Sequence, residues 1–280
     1  MIKILNYLSA HKFINILIGF IVYLLLTLPH EFVGVTIAGI FKGVPRYQYD
    51  LTILTIGVII LFGFIVYLFR QRKRLSNYTI PDGFFLACLL LMIVSLNVLI
   101  IVNIEIIHFI QYAILAILLF PLFKRFFSTL LFITLLGAID EAYQYYYLSP
   151  QRTNYYDFND VILDLLGGAM GLIFLRYHKG ISEFLHISLN HGKYWFRYAS
   201  ALTFFTLIFW QKEIVQSLFS SLGLDLNWAN YGAVLIRKPT TGFWTEIPPK
   251  ITYHVIQPIE GCILITLLLF GFSFIYRQAE

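Results

Sequence analysis

The sequence predicts an all-α, polytopic helical membrane protein with about eight transmembrane helices and both termini cytoplasmic. Three observations predict it. Hydrophobic residues make up 59% of the 280-residue chain, and its mean hydropathy is +0.77. Charged residues make up 12%, whereas a soluble domain carries about 25%, so too little polar surface exists to face water all round. The charges also fall in short clusters between apolar runs of roughly 18–25 residues, the length that crosses ~30 Å of hydrocarbon as a helix.

Eight runs follow in order, at about 13–30, 51–69, 83–103, 106–123, 126–145, 160–177, 195–212 and 254–276. The first stays apolar to Phe41 with no small-residue cleavage site, so it reads as a retained helix and not a signal peptide. Gly34, Ala38 and Gly39 leave 31–41 as either an extension of that helix or a re-entrant segment. Phe84–Phe123 is 40 residues long, about 60 Å as one helix and twice a bilayer. It must break, and Asn103 and Glu105 mark the place. The seventh and eighth runs flank a long loop, 213–253. The loop opens with Ile214, Val215, Leu218, Phe219 and Leu222 on one helical face, an interfacial pattern, with Trp228, Tyr231 and Trp244 expected at headgroup level. Cys88 and Cys262 lie inside apolar runs with no CxxC, which implies neither a disulfide framework nor a cysteine metal site.

Orientation follows from the basic residues. With a cytoplasmic N-terminus, 13 of the 20 lysines and arginines fall on the inside, including Arg70, Arg72, Lys73, Arg74 and the pair Lys124–Arg125. The net charge of +5 is therefore a report of topology and not a nucleic-acid signal.

Between Ile104 and Leu172 lie six of the fifteen carboxylates: Glu105, Asp140, Glu141, Asp157, Asp160 and Asp164. His108, Tyr112, Gln144 and Arg152 stand among them. A central Asp or Lys costs about 2–3 kcal/mol on insertion scales, so such groups persist where they pair, line a wet cavity or act. Glu105, His108 and Tyr112 are spaced to share one helical face. Gln144 lies one turn from Asp140 and Glu141. Asp160 and Asp164 are i, i+4 at the start of the sixth span, and Gly167 and Gly171 continue that helix as GxxxG, a close-packing pattern. On the assumed topology all of these polar residues reach the outer membrane face. Singly, each has an ordinary reading. Asp160 suits a helix N-terminus, His108 a hydrogen-bonded core, and the tyrosines an interfacial belt. Glu260, in the eighth span, is either a lone snorkelling acid or a member of the cluster.

These residues resemble the VanZ-like family of membrane proteins. The resemblance is carried by His108-Phe109 with Tyr112, Asp140-Glu141-x-x-Gln144, Arg152, and Asp160-Val161-x-x-Asp164-x-x-Gly167-x-x-x-Gly171. It is strongest over about 105–171, and Asp164 stands where many members have Asn. It divides the chain into a VanZ-like membrane domain, 1–178, of about six spans, and a two-span extension, 179–280. It implies an envelope protein of the cytoplasmic (inner) membrane, linked through the family's eponymous member to low-level teicoplanin resistance, with no established catalytic activity.

The leading functional expectation is an extracytoplasmic site that binds an envelope lipid or glycan headgroup, or a glycopeptide-type ligand, with Arg152 contacting an anionic group. The alternative is a membrane-embedded enzyme using His108 with the acids. No nucleophile motif, HExxH or phosphate-cradling glycine loop is present, which weighs against it. No cofactor is expected, although a carboxylate-rich cluster is of the kind that binds Mg²⁺ or Ca²⁺. A small-solute or proton-coupled transporter ranks third, because the first three spans offer few buried charges. No nucleic-acid partner is expected, and the sequence leaves the oligomeric state open.

Overall fold

The computed structural model describes residues 2–29, 32, 36, 39–72, 80–100, 103–148, 155–177, 235, 242–247 and 251–273. The described chain is mostly helical. The helices are α1 (Ile2–Ala10), α2 (Lys12–Thr27), α3 (Arg46–Arg72), α4 (Ile80–Val98), α5 (Ile107–Phe123), α6 (Phe126–Tyr143), α7 (Phe158–Tyr177) and α8 (Pro258–Ser273). A 3-10 turn, Asn103–Ile106, precedes α5, and a π turn, Gln144–Leu148, extends α6. Two helices are long and apolar enough to cross a membrane, Phe126–Leu148 and Phe158–Leu175. A third crossing exists if α1 and α2, bent by 112°, act as one span. Phe85–Val98, Ile107–Phe123 and Glu260–Phe272 are shorter apolar helices. The seventh expected span, the amphipathic stretch from Ile214 to Leu222, Trp228 and Tyr231 lie outside the described residues.

The chain groups into two compact units. One comprises Met1–Thr134 and Leu163–Ile187; the other comprises Leu135–Ile162 and Ser188–Glu280. Two of the three boundaries fall inside α6 and α7. The sequence-based division at 178 follows family resemblance, whereas the units follow packing.

In the first unit, α5 packs against α1 and α2. The buried face of α2 is Asn15, Gly19, Tyr23 and Thr27, one residue per turn. Gly19 sits against the Leu119 side chain with no room for a Cβ. The apolar run 84–123 breaks as its length requires: α4 ends at Val98, and helix resumes at Asn103. Helix α5 ends at Lys124, whose left-handed backbone (φ 52°) lets its N–H donate to Phe120 O at 2.8 Å. α7 is anchored on α5 by its glycines. A Cβ on Gly167 would lie 2.6 Å from the Phe109 carbonyl oxygen, and one on Gly171 would strike the Ala113 backbone. Two helix backbones therefore touch along the GxxxG face.

The second unit contains the departure from an all-helical chain. Strands β1 (Trp244–Ile247) and β2 (Ile251–His254) pair antiparallel, with Trp244 opposite His254 and Ile247 opposite Ile251. The eighth helix starts at Pro258 and not at 254. Proline fits the first helical position because its missing N–H is not needed there, and the preceding β-branched and aromatic residues favour strand. Tyr145 and Tyr156 are buried, 1% and 8% exposed, in an aromatic cluster with Tyr146 and Phe158. They are core rather than interfacial belt. Tyr156 earns that place by donating its hydroxyl to Ala138 O at 2.6 Å.

Candidate functional site

In the first unit the site is a hydrogen-bonded histidine–carboxylate pair between α5 and α7. His108 lies in the first turn of α5, where the preceding 3-10 turn carries half-buried Glu105. His108 Nδ1 lies 2.8 Å from Asp164 Oδ1, and the two side chains are 2% and 0% exposed. A carboxylate only accepts, so Nδ1 carries the hydrogen and donates it. Tyr112, one turn along α5, is buried with its ring nearly parallel to the imidazole (9°) at a centroid distance of 6.4 Å. The backbone contact at Gly167 and Gly171 holds α5 and α7 close enough for this short bond. The glycines and the pair thus belong to one packing arrangement.

The second unit holds another group. Asp140 and Glu141 end α6 and are both buried, at 2% and 3% exposed. Gln144 reaches back from the π turn. Its Nε2 donates to Glu141 Oε1 at 2.8 Å and approaches Asp140 Oδ1 at 3.5 Å. Spacing of i, i+3 and i, i+4 makes this geometry local. Asp157 Oδ1 accepts the Asn159 N–H at 3.0 Å, which forms the turn that starts α7. Asp160, in the first turn of α7, is half-buried, in a position the helix dipole favours for an acid. It therefore differs from Asp164, one turn on. Arg152 lies outside the described residues.

Two buried polar residues of this unit, Asn159 and His254, were not among those expected from the sequence, whereas their neighbour Glu260 was read as a lone snorkelling acid or a member of the cluster. Asn159 Nδ2 donates to His254 O at 2.7 Å, and its Oδ1 accepts the Ile256 N–H at 2.9 Å. His254 bonds Glu260 through Nε2, at 2.8 Å to each carboxylate oxygen, and the Phe243 carbonyl through Nδ1, at 2.7 Å. Glu260 also accepts the Gln257 N–H at 3.3 Å, the reach-back of a helix-capping acid. The only sequence signal for Asn159 is the Asp-Phe-Asn-Asp run at a helix start. Asn15 and Thr27 are buried as well, with Asn15 wholly so, and neither side chain has a hydrogen-bond partner among the described residues.

Among the described residues no group of three or more His, Cys, Asp and Glu side chains is placed to hold a metal ion. Among the described residues Cys88 and Cys262 are buried and form no disulfide.

Apolar helices long enough to span a bilayer, carrying buried carboxylates that are paired or hydrogen-bonded, define a helical membrane protein. Residues 92–179 match the family model described as VanZ/LLP1, so this segment is similar to that family. The match spans α5, α6 and α7 and covers under a third of the chain. No curated protein and no solved structure matches the chain.

Proposed function

We propose that the protein is a multi-pass protein of the cytoplasmic membrane whose VanZ-like segment recognises a polar headgroup of the cell envelope. The ligand class is an envelope lipid or glycan, or a glycopeptide of the teicoplanin type. The observation that carries this reading is the His108–Asp164 pair. A 2.8 Å histidine–carboxylate pair at 2% and 0% exposure, on helices otherwise apolar, is costly to keep in lipid unless it serves a purpose. The proposal gives the pair the task of fixing α5 on α7. Recognition falls to less buried groups of the second unit, Gln144 and Asp160, which are half-buried. Arg152 keeps its charge at any physiological pH, and its planar guanidinium suits a phosphate or carboxylate on the ligand. The segments 145–158 and 213–253 are extracytoplasmic in this reading, with both termini cytoplasmic and about eight spans.

The test is native mass spectrometry of full-length protein incubated with an envelope lipid and glycan extract, comparing wild type with Arg152→Ala and Glu141→Gln. The expected result is a headgroup-bearing species bound to wild type and lost in both variants, with thermal unfolding showing that the variants remain folded. Identical ligand profiles in all three proteins would overturn the reading. One observation favours a second reading. An imidazole oriented by a carboxylate on Nδ1 is the arrangement used for acid–base chemistry. If the bound species returns chemically altered, and the alteration stops in His108→Ala, the protein is an enzyme on that ligand.

A further inference from the structure

Helix α1 precedes the first apolar run of the sequence, and α2 turns away from it by 112°. One residue builds the corner. The His11 N–H donates to Tyr7 O at 3.0 Å, and its Nδ1 lies 2.9 Å from the same oxygen. A carbonyl only accepts, so Nδ1 donates as well, and the last turn of α1 is closed by main chain and side chain together. The His11 carbonyl then accepts the Asn15 N–H at 3.0 Å and opens α2. The imidazole also stacks on the Tyr7 ring, with centroids 4.2 Å apart and planes 26° from parallel. Bonded on both sides, His11 fixes the angle between the two helices.

The surface of α1 divides into three sectors. It packs against α5 and α2, with Leu5 and Leu8, spaced i and i+3, buried. Ile4 and Tyr7 share the same spacing on a second sector and are 61% and 52% exposed. Lys3, Asn6 and Ala10 are exposed on the third. Phe13, just past the corner, is 77% exposed. Charge in this stretch has one sign. Residues 1–30 contain no Asp or Glu, and their only lysines, Lys3 and Lys12, are exposed near the two ends of α1. An apolar flank beside uncompensated lysines is the pattern of a helix lying in a membrane surface, with hydrocarbon under the flank and lipid phosphates beside the lysines. The angle agrees. With α2 along the membrane normal, the bend exceeds a right angle by about 22°, so α1 lies close to the membrane plane. Helix α2 has 16 residues, about 24 Å, which a crossing of ~30 Å uses in full, so the corner falls at the surface.

We propose that α1 is an in-plane membrane foot: Ile4, Tyr7 and Phe13 sit at the boundary of headgroups and acyl chains in one leaflet, and Lys3 and Lys12 engage the phosphates of anionic phospholipids there. Tyrosine suits that depth, with its ring in the apolar layer and its hydroxyl among headgroups. The lysine stems reach along the apolar surface and leave the ammonium groups at phosphate level. Packing of Leu5 and Leu8 and the bonds at His11 hold the foot in place before lipid arrives, so binding costs little ordering. The inference rests on the reading that α2 crosses the membrane, and is independent of what the VanZ-like segment binds.

The test places single spin labels in full-length protein in nanodiscs of phosphatidylcholine and phosphatidylglycerol. Labels go on Lys3→Cys, Ile4→Cys, Asn6→Cys, Tyr7→Cys and Ala10→Cys, all exposed positions, and on Phe20→Cys in the middle of α2. Relaxation by oxygen, which concentrates in lipid, is compared with relaxation by a water-soluble nickel chelate. The expected pattern follows the helix: oxygen dominates at 4 and 7, the chelate at 3, 6 and 10, and oxygen most of all at 20. A steady change from 3 to 10 would make α1 a continuation of the crossing and overturn the foot. Chelate access at all five α1 positions, with Phe20→Cys deep in lipid, would place α1 in water and overturn it while sparing the crossing. Chelate access at Phe20→Cys would remove the crossing and the foot together. The lipid charge is tested separately by native mass spectrometry of protein released from the same nanodiscs. Replacing Lys3 and Lys12 by Gln should lower the ratio of bound phosphatidylglycerol to phosphatidylcholine by about fivefold per lysine. A ratio equal to that of wild type would overturn the assignment of anionic lipid as the partner.

Discussion

Asp164 and Asp160 are the same residue type one helical turn apart, and their surroundings separate them. Asp164 has zero exposure and accepts from His108, whereas Asp160 is half-buried in a first turn. The sequence pattern marked both as acids on one face. It did not show that one is half of a core histidine–carboxylate pair, because the other half of the pair is 56 residues away. Asn159 was missed for a related reason. An Asn at a helix start is an ordinary local cap, and its two hydrogen bonds reach residues 95 and 97 positions later. Removing one member of the buried pair leaves the other charged or unsatisfied in a site closed to water. Asp164→Ala is therefore expected to destabilise the protein by about 3–5 kcal/mol. Asp164→Asn keeps an acceptor for the His108 N–H and should cost clearly less. Thermal unfolding in detergent, with His108→Ala completing a double-mutant cycle, checks both. Equal losses for Ala and Asn would show that the carbonyl oxygen at 164 is not what His108 requires.

The elements most legible in the sequence were those specified by local pattern. The 84–123 run broke near Asn103 because its length exceeds a bilayer, and the GxxxG on α7 meets a partner backbone as small-residue spacing anticipates. The hairpin was illegible. Its strands are four residues each, they sit in a loop otherwise read as interfacial, and the side chain that binds the end of the second strand, Asn159, lies 95 positions earlier. The three glycines of α7 allow a graded test of the helix contact. At Gly167 and Gly171 an added methyl would meet main-chain atoms of α5, which cannot rotate away. At Gly168 the first obstacle is the Ile133 side chain, 2.7 Å from the added Cβ, which has room to adjust only by moving itself. Gly167→Ala and Gly171→Ala should each cost about 1–3 kcal/mol, the usual range for overpacking, and Gly168→Ala less. Thermal shifts measured side by side decide it. The order would be wrong if Gly168→Ala proved the most damaging of the three.

At the scale of the whole molecule, composition identified the membrane class, because the fraction of charge cannot be reconciled with a chain wetted all round. Composition could not indicate the two compact units. Two of their three boundaries cut through α6 and α7, so no linker or glycine run marks those two. Orientation depends instead on how lysines and arginines are distributed between loops. On the proposed eight-span topology the densest basic run, Arg70–Arg74, and the Lys124–Arg125 pair fall on the same side of the membrane. Short basic loops resist translocation, so the proposed topology puts that side in the cytoplasm and the loops holding Arg152 and Trp244 outside. A membrane-impermeant maleimide applied to intact cells should therefore label Thr153→Cys and Thr240→Cys, and should reach Ser76→Cys only after lysis. Buried Cys88 and Cys262 should contribute little background. Labelling of Ser76→Cys in intact cells would invert the chain. The carboxylates at the α6–α7 connection would then face the cytoplasm, and an envelope headgroup would no longer be a sensible ligand for them.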